Sequence, residues 1–287
     1  QVNRKFTMSV ETIKTDKEIL IETIEQLLIP STAIKTAFFP QFGEHLGGMR
    51  LNELSLFCAP TGCGKTQWLA SLVAHLVKHD VKVFVASIET GPHDFLKRVI
   101  SQWEGIDLNE HENYSVEFVQ KLYEKYSPIL DEKIIFATYE NRVSVDDIIT
   151  RIAFAQQRYG VKIAVLDNLN FFLDVKNARD QLVEMDQAVH AFVIAAKHIP
   201  VHTLLVVHPK KTDGGRVESE FDIKGSSTAV QEASNVILMN RPKKEDIDSG
   251  KYDWLNREIV FKKIRKRGIN INKPIIFRYT NGRYGEV

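Results

Sequence analysis

Ala59-Pro60-Thr61-Gly62-Cys63-Gly64-Lys65-Thr66 is the stretch on which the reading of this chain turns. It ends in Gly-Lys-Thr, follows the apolar run from Leu54 to Cys58, and precedes a helical pattern. Glycines let a chain bend so that several backbone N–H groups face one anion. A helix opening near Gly64 adds the positive end of its dipole. Strand, glycine-bearing loop and helix in that order make a phosphate-binding P-loop. Pro60, Thr61, Gly62, Cys63 and Gly64 are then the residues that wrap a nucleotide's phosphates. Lys65 reaches the β- and γ-phosphates, and the Thr66 hydroxyl holds Mg²⁺. Ala59 stands where a glycine is usual, and a small residue fits there while its φ stays negative.

Composition bounds the rest. At 287 residues the chain is one large α/β domain or a domain with an appendage. Apolar residues make up 44% and charged residues 26%, which is ordinary for a water-soluble globular protein. No apolar run approaches the ~18 residues that span a bilayer, and no signal peptide is visible, so an intracellular, soluble protein with no membrane partner is expected. The two cysteines, Cys58 and Cys63, form neither a metal motif nor a disulfide framework, which suits a reducing compartment. A net charge of +1 excludes a general polyanion binder, so contacts to nucleic acid must come from local basic groups. The chain opens on Gln rather than Met, as a fragment or a processed chain would.

Working outward from the loop, strand and helix patterns alternate, which predicts an α/β fold with a mostly parallel sheet covered by helices. Strands are expected at 54–58, 82–87, 133–137, 162–166, 203–207, 235–239, 258–263 and 275–279. Helices are expected at 65–78, 92–103, 115–126, 144–158 and 181–198, with Ser144 and Asp147 as a capping box. Residues 31–52 read as loop, broken by Phe38-Phe39-Pro40 and Gly47-Gly48. Residues 8–29 carry a helical apolar face, with Ile13, Leu20, Ile21, Ile24, Leu27 and Leu28, closed by Pro30. Periodicity leaves open whether that helix packs on its own domain or docks on a neighbouring subunit. Two polar stretches, 174–180 and 209–226, interrupt the core, and the second is long for a simple connection.

Ile163-Ala164-Val165-Leu166-Asp167 is an apolar strand ending in a carboxylate. After a P-loop, this pattern puts Asp167 beside the Mg²⁺ held by Thr66. The next residue is Asn168, not an acid. Glu89 ends another strand, and parallel strands share one C-terminal edge, so Glu89 is the candidate to orient or deprotonate an attacking water. The alternative is a cap for the helix starting near Pro92. His208 ends a further strand, either as a contact to the γ-phosphate or as a solvated strand-end histidine.

These pieces keep a particular order: Gly47-Gly48-Met49-Arg50-Leu51-Asn52-Glu53-Leu54, the P-loop, Ser87-Ile88-Glu89, Val165-Leu166-Asp167-Asn168-Leu169 and Val206-Val207-His208-Pro209. A run from Lys224 to Asn235 follows, containing Gly225-Ser226 and Gln231-Glu232-Ala233, and then Lys263-Ile264-Arg265. Over about residues 45–287 the chain resembles the RecA-type motor domain of hexameric replicative helicases of the DnaB class, and is most similar to the phage primase–helicase and mitochondrial Twinkle branch. The resemblance implies a RecA-like P-loop NTPase over 31–287 and a linker or oligomerisation helix over 1–30. It implies ATP or another NTP with Mg²⁺, Glu89 as catalytic base and His208 as γ-phosphate sensor. It also implies Gln231 near the nucleotide, and Arg265, with Lys263 beside it, as a finger offered to the neighbouring subunit. Such a cation supplied in trans is worth ~10³–10⁵ in rate. The bland reading of the basic run 262–267 is a solvated turn or localisation tag. The family's DNA loops fall at 174–180 and 209–226. There Lys210, Lys211, Arg216 and Lys224 would meet phosphates, and Gly225 and Ser226 would give backbone N–H contacts.

The expectation is therefore an ATP-driven ring helicase, a homo-oligomer expected to be hexameric, moving on single-stranded DNA, with a primase or loader as a further partner. Bacterial or phage-infected cytoplasm and the mitochondrial matrix both suit it. Two alternatives share the same motifs. One is a RecA-like protein that coats DNA or loads another machine with ATP as a switch. The other is a small-molecule kinase, which would need an arginine-rich lid.

Overall fold

The computed structural model describes residues 15–28, 33–34, 39–110, 114–139, 143–173, 178–210, 216–223, 227–266 and 271–287. Two compact units divide the chain, residues 1–33 and 34–287. The first holds α1 (Asp16–Leu28). Its Leu20, Ile21 and Ile24 are exposed.

The second unit is built on one sheet, nine-stranded among the described residues, in the order β3-β2-β4-β5-β1-β6-β7-β8-β9. The strands are β1 (Leu54–Cys58), β2 (Val83–Ser87), β3 (Ile134–Phe136), β4 (Ile163–Asp167), β5 (His202–Val207), β6 (Asn235–Asn240), β7 (Asn256–Ile264), β8 (Ile271–Thr280) and β9 (Arg283–Glu286). The first six pair in parallel, and β6 through β9 close one side as an antiparallel meander. β1, β2, β4, β5 and β6 are buried at every position, as expected for strands covered on both faces.

The helices are α2 (Pro40–Leu46), α3 (Lys65–Lys78), α4 (Pro92–Glu104), α5 (Val116–Leu130), α6 (Val145–Tyr159), α7 (Ala178–His198), α8 (Ser227–Glu232) and α9 (Lys244–Asp248). Strand alternation splits the core in two. Phe57, Val85 and Val165 face α2, α3 and α4, whereas Leu56, Ala86 and Leu166 face α6 and α7. The centre of the first layer is Trp68, stacked on Phe57 at 5.0 Å and ringed by Phe39, Phe42 and Phe277 at 5.8, 5.2 and 5.8 Å.

The expected strands and helices stand within a few residues of their places, and Ser144 and Asp147 form the reciprocal cap of α6. Two expectations change. Residues 31–52 are not all loop, because α2 lies within them and buries Phe42 and Leu46. Proline suits its first turn, and Gly47 closes it at φ +71°. The chain also ends in a further strand, β9, which the strand pattern alone does not predict.

Candidate nucleotide site

Register puts the site on one edge of the sheet. Ser87 pairs with Asp167, and Cys58 with Val207, so β1, β2, β4 and β5 end side by side. The residues that follow those ends, the 59–66 loop, Glu89, Asn168 and His208, therefore share that edge.

The loop enters α3 through Gly64 at φ +85°, and no side chain caps the helix. Its first N–H groups are left to an anion, with the dipole favouring negative charge. Gly62 also has positive φ, at +73°. A Cβ on Gly64 would stand 2.5 Å from the Tyr284 hydroxyl, so glycine is required there twice over.

Within this cradle the sequence-predicted residues come together. The Lys65 ammonium lies 3.1 Å from Glu89 Oε2 and 3.3 Å from Asp167 Oδ1. The Thr66 hydroxyl donates to Asp167 Oδ2 at 2.8 Å. Asn168 Nδ2 donates to Glu89 Oε2 at 3.2 Å. Asp167 and Asn168 are joined by a cis peptide bond. Asp167 is fully buried, while the Glu89 side chain is about half exposed. Asn168, the non-acidic residue that follows Asp167, is thus a neighbour of the candidate base. Glu89 does not cap α4, whose N-cap is Gly91.

These groups fit a magnesium nucleotide. Mg²⁺ takes one or two protein oxygens and completes its shell with phosphate and water. The Thr66 hydroxyl and the Asp167 carboxylate are such oxygens, already paired through Oδ2, while Asp167 Oδ1 faces the Lys65 ammonium at 3.3 Å. No cluster of three or more His, Cys, Asp or Glu among those residues offers an all-protein metal cage instead. Burial pushes the Cys63 thiol up to about 11, and the Cys58 thiol is raised as well, so neither is a thiolate nucleophile.

Two arginines stand behind the loop. Arg241, just past β6, donates to the Gly62 carbonyl at 2.8 Å, and Arg257, near the start of β7, donates to the Cys63 carbonyl at 2.5 Å. A loop that turns its N–H groups inward turns carbonyls outward, and these two guanidiniums satisfy them. Arg241 follows the end of a parallel strand beside β1, a positional signal that could have exposed it. Arg257 comes from an antiparallel strand, and nothing local marks it. A groove of about 1180 Å³ opens over this edge, lined by Thr61 and Cys63, by His208, Pro209 and Lys210, and by Arg241, Lys243 and Trp254.

The remaining expected residues lie elsewhere. Gln231, Lys263 and Arg265 are not at the nucleotide edge of their own chain, because Ile264 pairs with Asn235 and Asn235 with Ser55, at the opposite ends of those strands. Five residues of extended chain separate the two edges by about 16 Å. Lys263 donates to the carbonyls of Val230 and Gln231 at 2.9 and 2.6 Å, and Arg265 to those of Gln231 and Glu232 at 2.7 and 2.9 Å. Both cations thus close the end of α8. Burial, and then the nearby Arg265, hold the Lys263 ammonium below the usual lysine range.

Among the expected DNA contacts, Lys210 is exposed and donates to the Phe221 carbonyl at 2.8 Å. The Arg216 guanidinium donates to the Arg241 carbonyl and pairs with the largely buried Glu258 at 2.7 Å. Lys211, Lys224, Gly225 and Ser226 lie outside the described residues, as does the 174–177 part of the first loop.

Fold and site together define a RecA-type P-loop nucleotide-binding domain. Residues 34–285 match the family described as the DnaB-like helicase C terminal domain, and the chain belongs to that family. A curated relative, a "Probable replicative DNA helicase" of Guillardia theta, is 23% identical over 211 residues, 68% of this chain and 35% of the relative. The chain thus spans about a third of that relative's length. Two solved structures share the fold at 16% identity. A DnaB-like replicative helicase studied with its primase interactions gives a TM-score of 0.72, over 98% of this chain and 70% of that one. The ATPase domain of G40P gives 0.74, over 96% and 99%.

Proposed function

We propose that this chain is the NTP-hydrolysing motor segment of a replicative DNA helicase, working as a ring of copies on single-stranded DNA. The observation that carries the reading is a separation. Lys65, Thr66, Glu89 and Asp167 converge at one edge, while Arg265 lies a strand's length away at the other. A finger on Arg265 therefore serves only another subunit's nucleotide.

In this reading Thr66 and Asp167 hold Mg²⁺, which when bound neutralises charge on the phosphates. The loop N–H groups and Lys65 bind the triphosphate, and Glu89 orients the attacking water or takes its proton. His208, on the groove, senses the γ-phosphate and passes its loss to the 209–226 loop, where Lys210 and its neighbours meet the DNA. Residues 1–30 act as the linker that joins neighbours, and the ring is hexameric, in keeping with the family. A primase-type or loader protein is a further partner, and an intracellular setting suits all of this. No helix among the described residues is long and apolar enough to cross a membrane.

Subunit mixing tests the central claim. Arg265→Ala and Lys65→Ala proteins should each be nearly inactive as ATPases with single-stranded DNA present. Mixed, they should recover a measurable fraction of activity, because an intact loop can meet an intact finger. No recovery in rings shown to contain both variants would end the trans reading.

A further inference from the structure

We propose that Trp254 is the surface on which the bound nucleotide's base stacks, and that Arg257 positions it. The inference rests on the reading of the 59–66 loop as the nucleotide site and extends that site along the groove.

Three tryptophans are present. Trp68 and Trp103 are core residues, whereas Trp254 is 63% exposed. Trp254 lines the same groove as Thr61 and Cys63 of the phosphate loop. One guanidinium ties these two segments together. Arg257 donates through Nε to the Cys63 carbonyl at 2.5 Å, and through Nη1 to the carbonyls of Trp254 and Asn256 at 2.7 and 2.6 Å. The backbone at Trp254 is therefore held within one side chain's span of the loop that grips the phosphates. An indole kept in water at a fixed offset from a phosphate cradle is what a nucleobase needs, since every base presents a π-face. Asp253 accepts from Leu255 N at 2.9 Å, and its backbone N–H donates to Asn256 Oδ1 at 2.9 Å, so the turn carrying the indole is itself ordered.

The test compares Mg-ATP with magnesium tripolyphosphate, which has the phosphates without the base. Binding of each is titrated by calorimetry on the full chain, alongside tryptophan fluorescence. ATP should quench the Trp254 emission and tripolyphosphate should not. Trp254→Ala should weaken ATP about tenfold or more while leaving tripolyphosphate affinity unchanged. Trp254→Phe should restore much of the loss, and Arg257→Gln should weaken both ligands. If Trp254→Ala leaves the ratio of the two affinities unaltered, the assignment is overturned. It is overturned as well if the variant loses subunit assembly with that ratio intact, which would make the indole a contact between copies. If neither ligand binds the parent chain, the nucleotide reading itself fails, an outcome distinct from a loop that binds both and ignores the base.

Discussion

Lys65 is held between two carboxylates, and its partners suggest what each does. The 3.1 and 3.3 Å contacts to Glu89 and Asp167 keep one buried cation compensated by acids of different exposure. Lys65→Ala should abolish tight triphosphate binding, as read by a nucleotide titration. Glu89→Gln preserves size and the acceptor for Asn168 but removes the proposed base. It should bind nucleotide like the parent and lose about 10²–10⁴ in turnover, and hydrolysis at the parental rate would remove Glu89 from the mechanism. Gly64→Ala meets both a left-handed backbone and the Tyr284 hydroxyl, so a poorly formed loop with weak nucleotide affinity is expected. Lys65, Thr66, Glu89 and Asp167 are legible as a set because strand ends in a parallel sheet share an edge. Arg257 and Tyr284 are not, since they arrive from the C-terminal meander.

At the scale of elements, α2 shows why a local reading fails. Its seven residues are too few for a periodic pattern, and its N-cap, Phe39, makes no side-chain cap hydrogen bond. The missing acceptor comes from Glu286 in β9, 245 residues away, whose two oxygens accept from the N–H groups of Gln41 and Phe42 at 2.9 Å each. Glu286→Gln should cost about 1 kcal/mol in chemical denaturation, with no change if solvent caps the helix as well. By contrast the α6 cap pairs residues three apart, Ser144 with Asp147, so it can be read directly. α3 depends on its aromatic surroundings. Trp68→Ala should cost roughly 3–5 kcal/mol, because it empties a site bounded by four rings.

For the whole molecule, a buried polar chain crosses the sheet at the edge opposite the nucleotide. His202 Nδ1 faces the Arg50 carbonyl at 2.8 Å and must donate to it, so Nε2 accepts from Ser55 at 2.9 Å. Asn235 donates to Ser55 and Glu53 at 3.0 and 3.1 Å. Burial first pulls the fully enclosed His202 down to about 4, and His75 is likewise lowered to about 3. Because both folded values lie below the unfolded one near 6.5, the unfolded chain binds more protons over that range. Stability is then whole above about pH 6.5 and falls as pH drops toward 4. Unfolding at pH 5.5 should need less denaturant than at pH 7.5, by roughly 1 kcal/mol from His202 alone, and His202→Gln should reduce the slope while leaving the share of His75. A flat parental profile would contradict a neutral buried ring. In the proposed ring on DNA, stimulated hydrolysis should weaken with salt as backbone contacts release counterions.

By itself the order of residues determined the parallel α/β core, the phosphate loop and the carboxylates around it. Each depends on spacings of a few residues and on the rule that strand ends align. Tertiary structure alone decided that Arg241, Arg257 and Tyr284 buttress the loop, that Arg216 is paired within the protein, and that Arg265 faces away from its own loop. Those facts turn on which strands lie next to which, and in what direction they run. Hydrogen bonding between residues far apart in the chain sets that arrangement, and no local pattern encodes it.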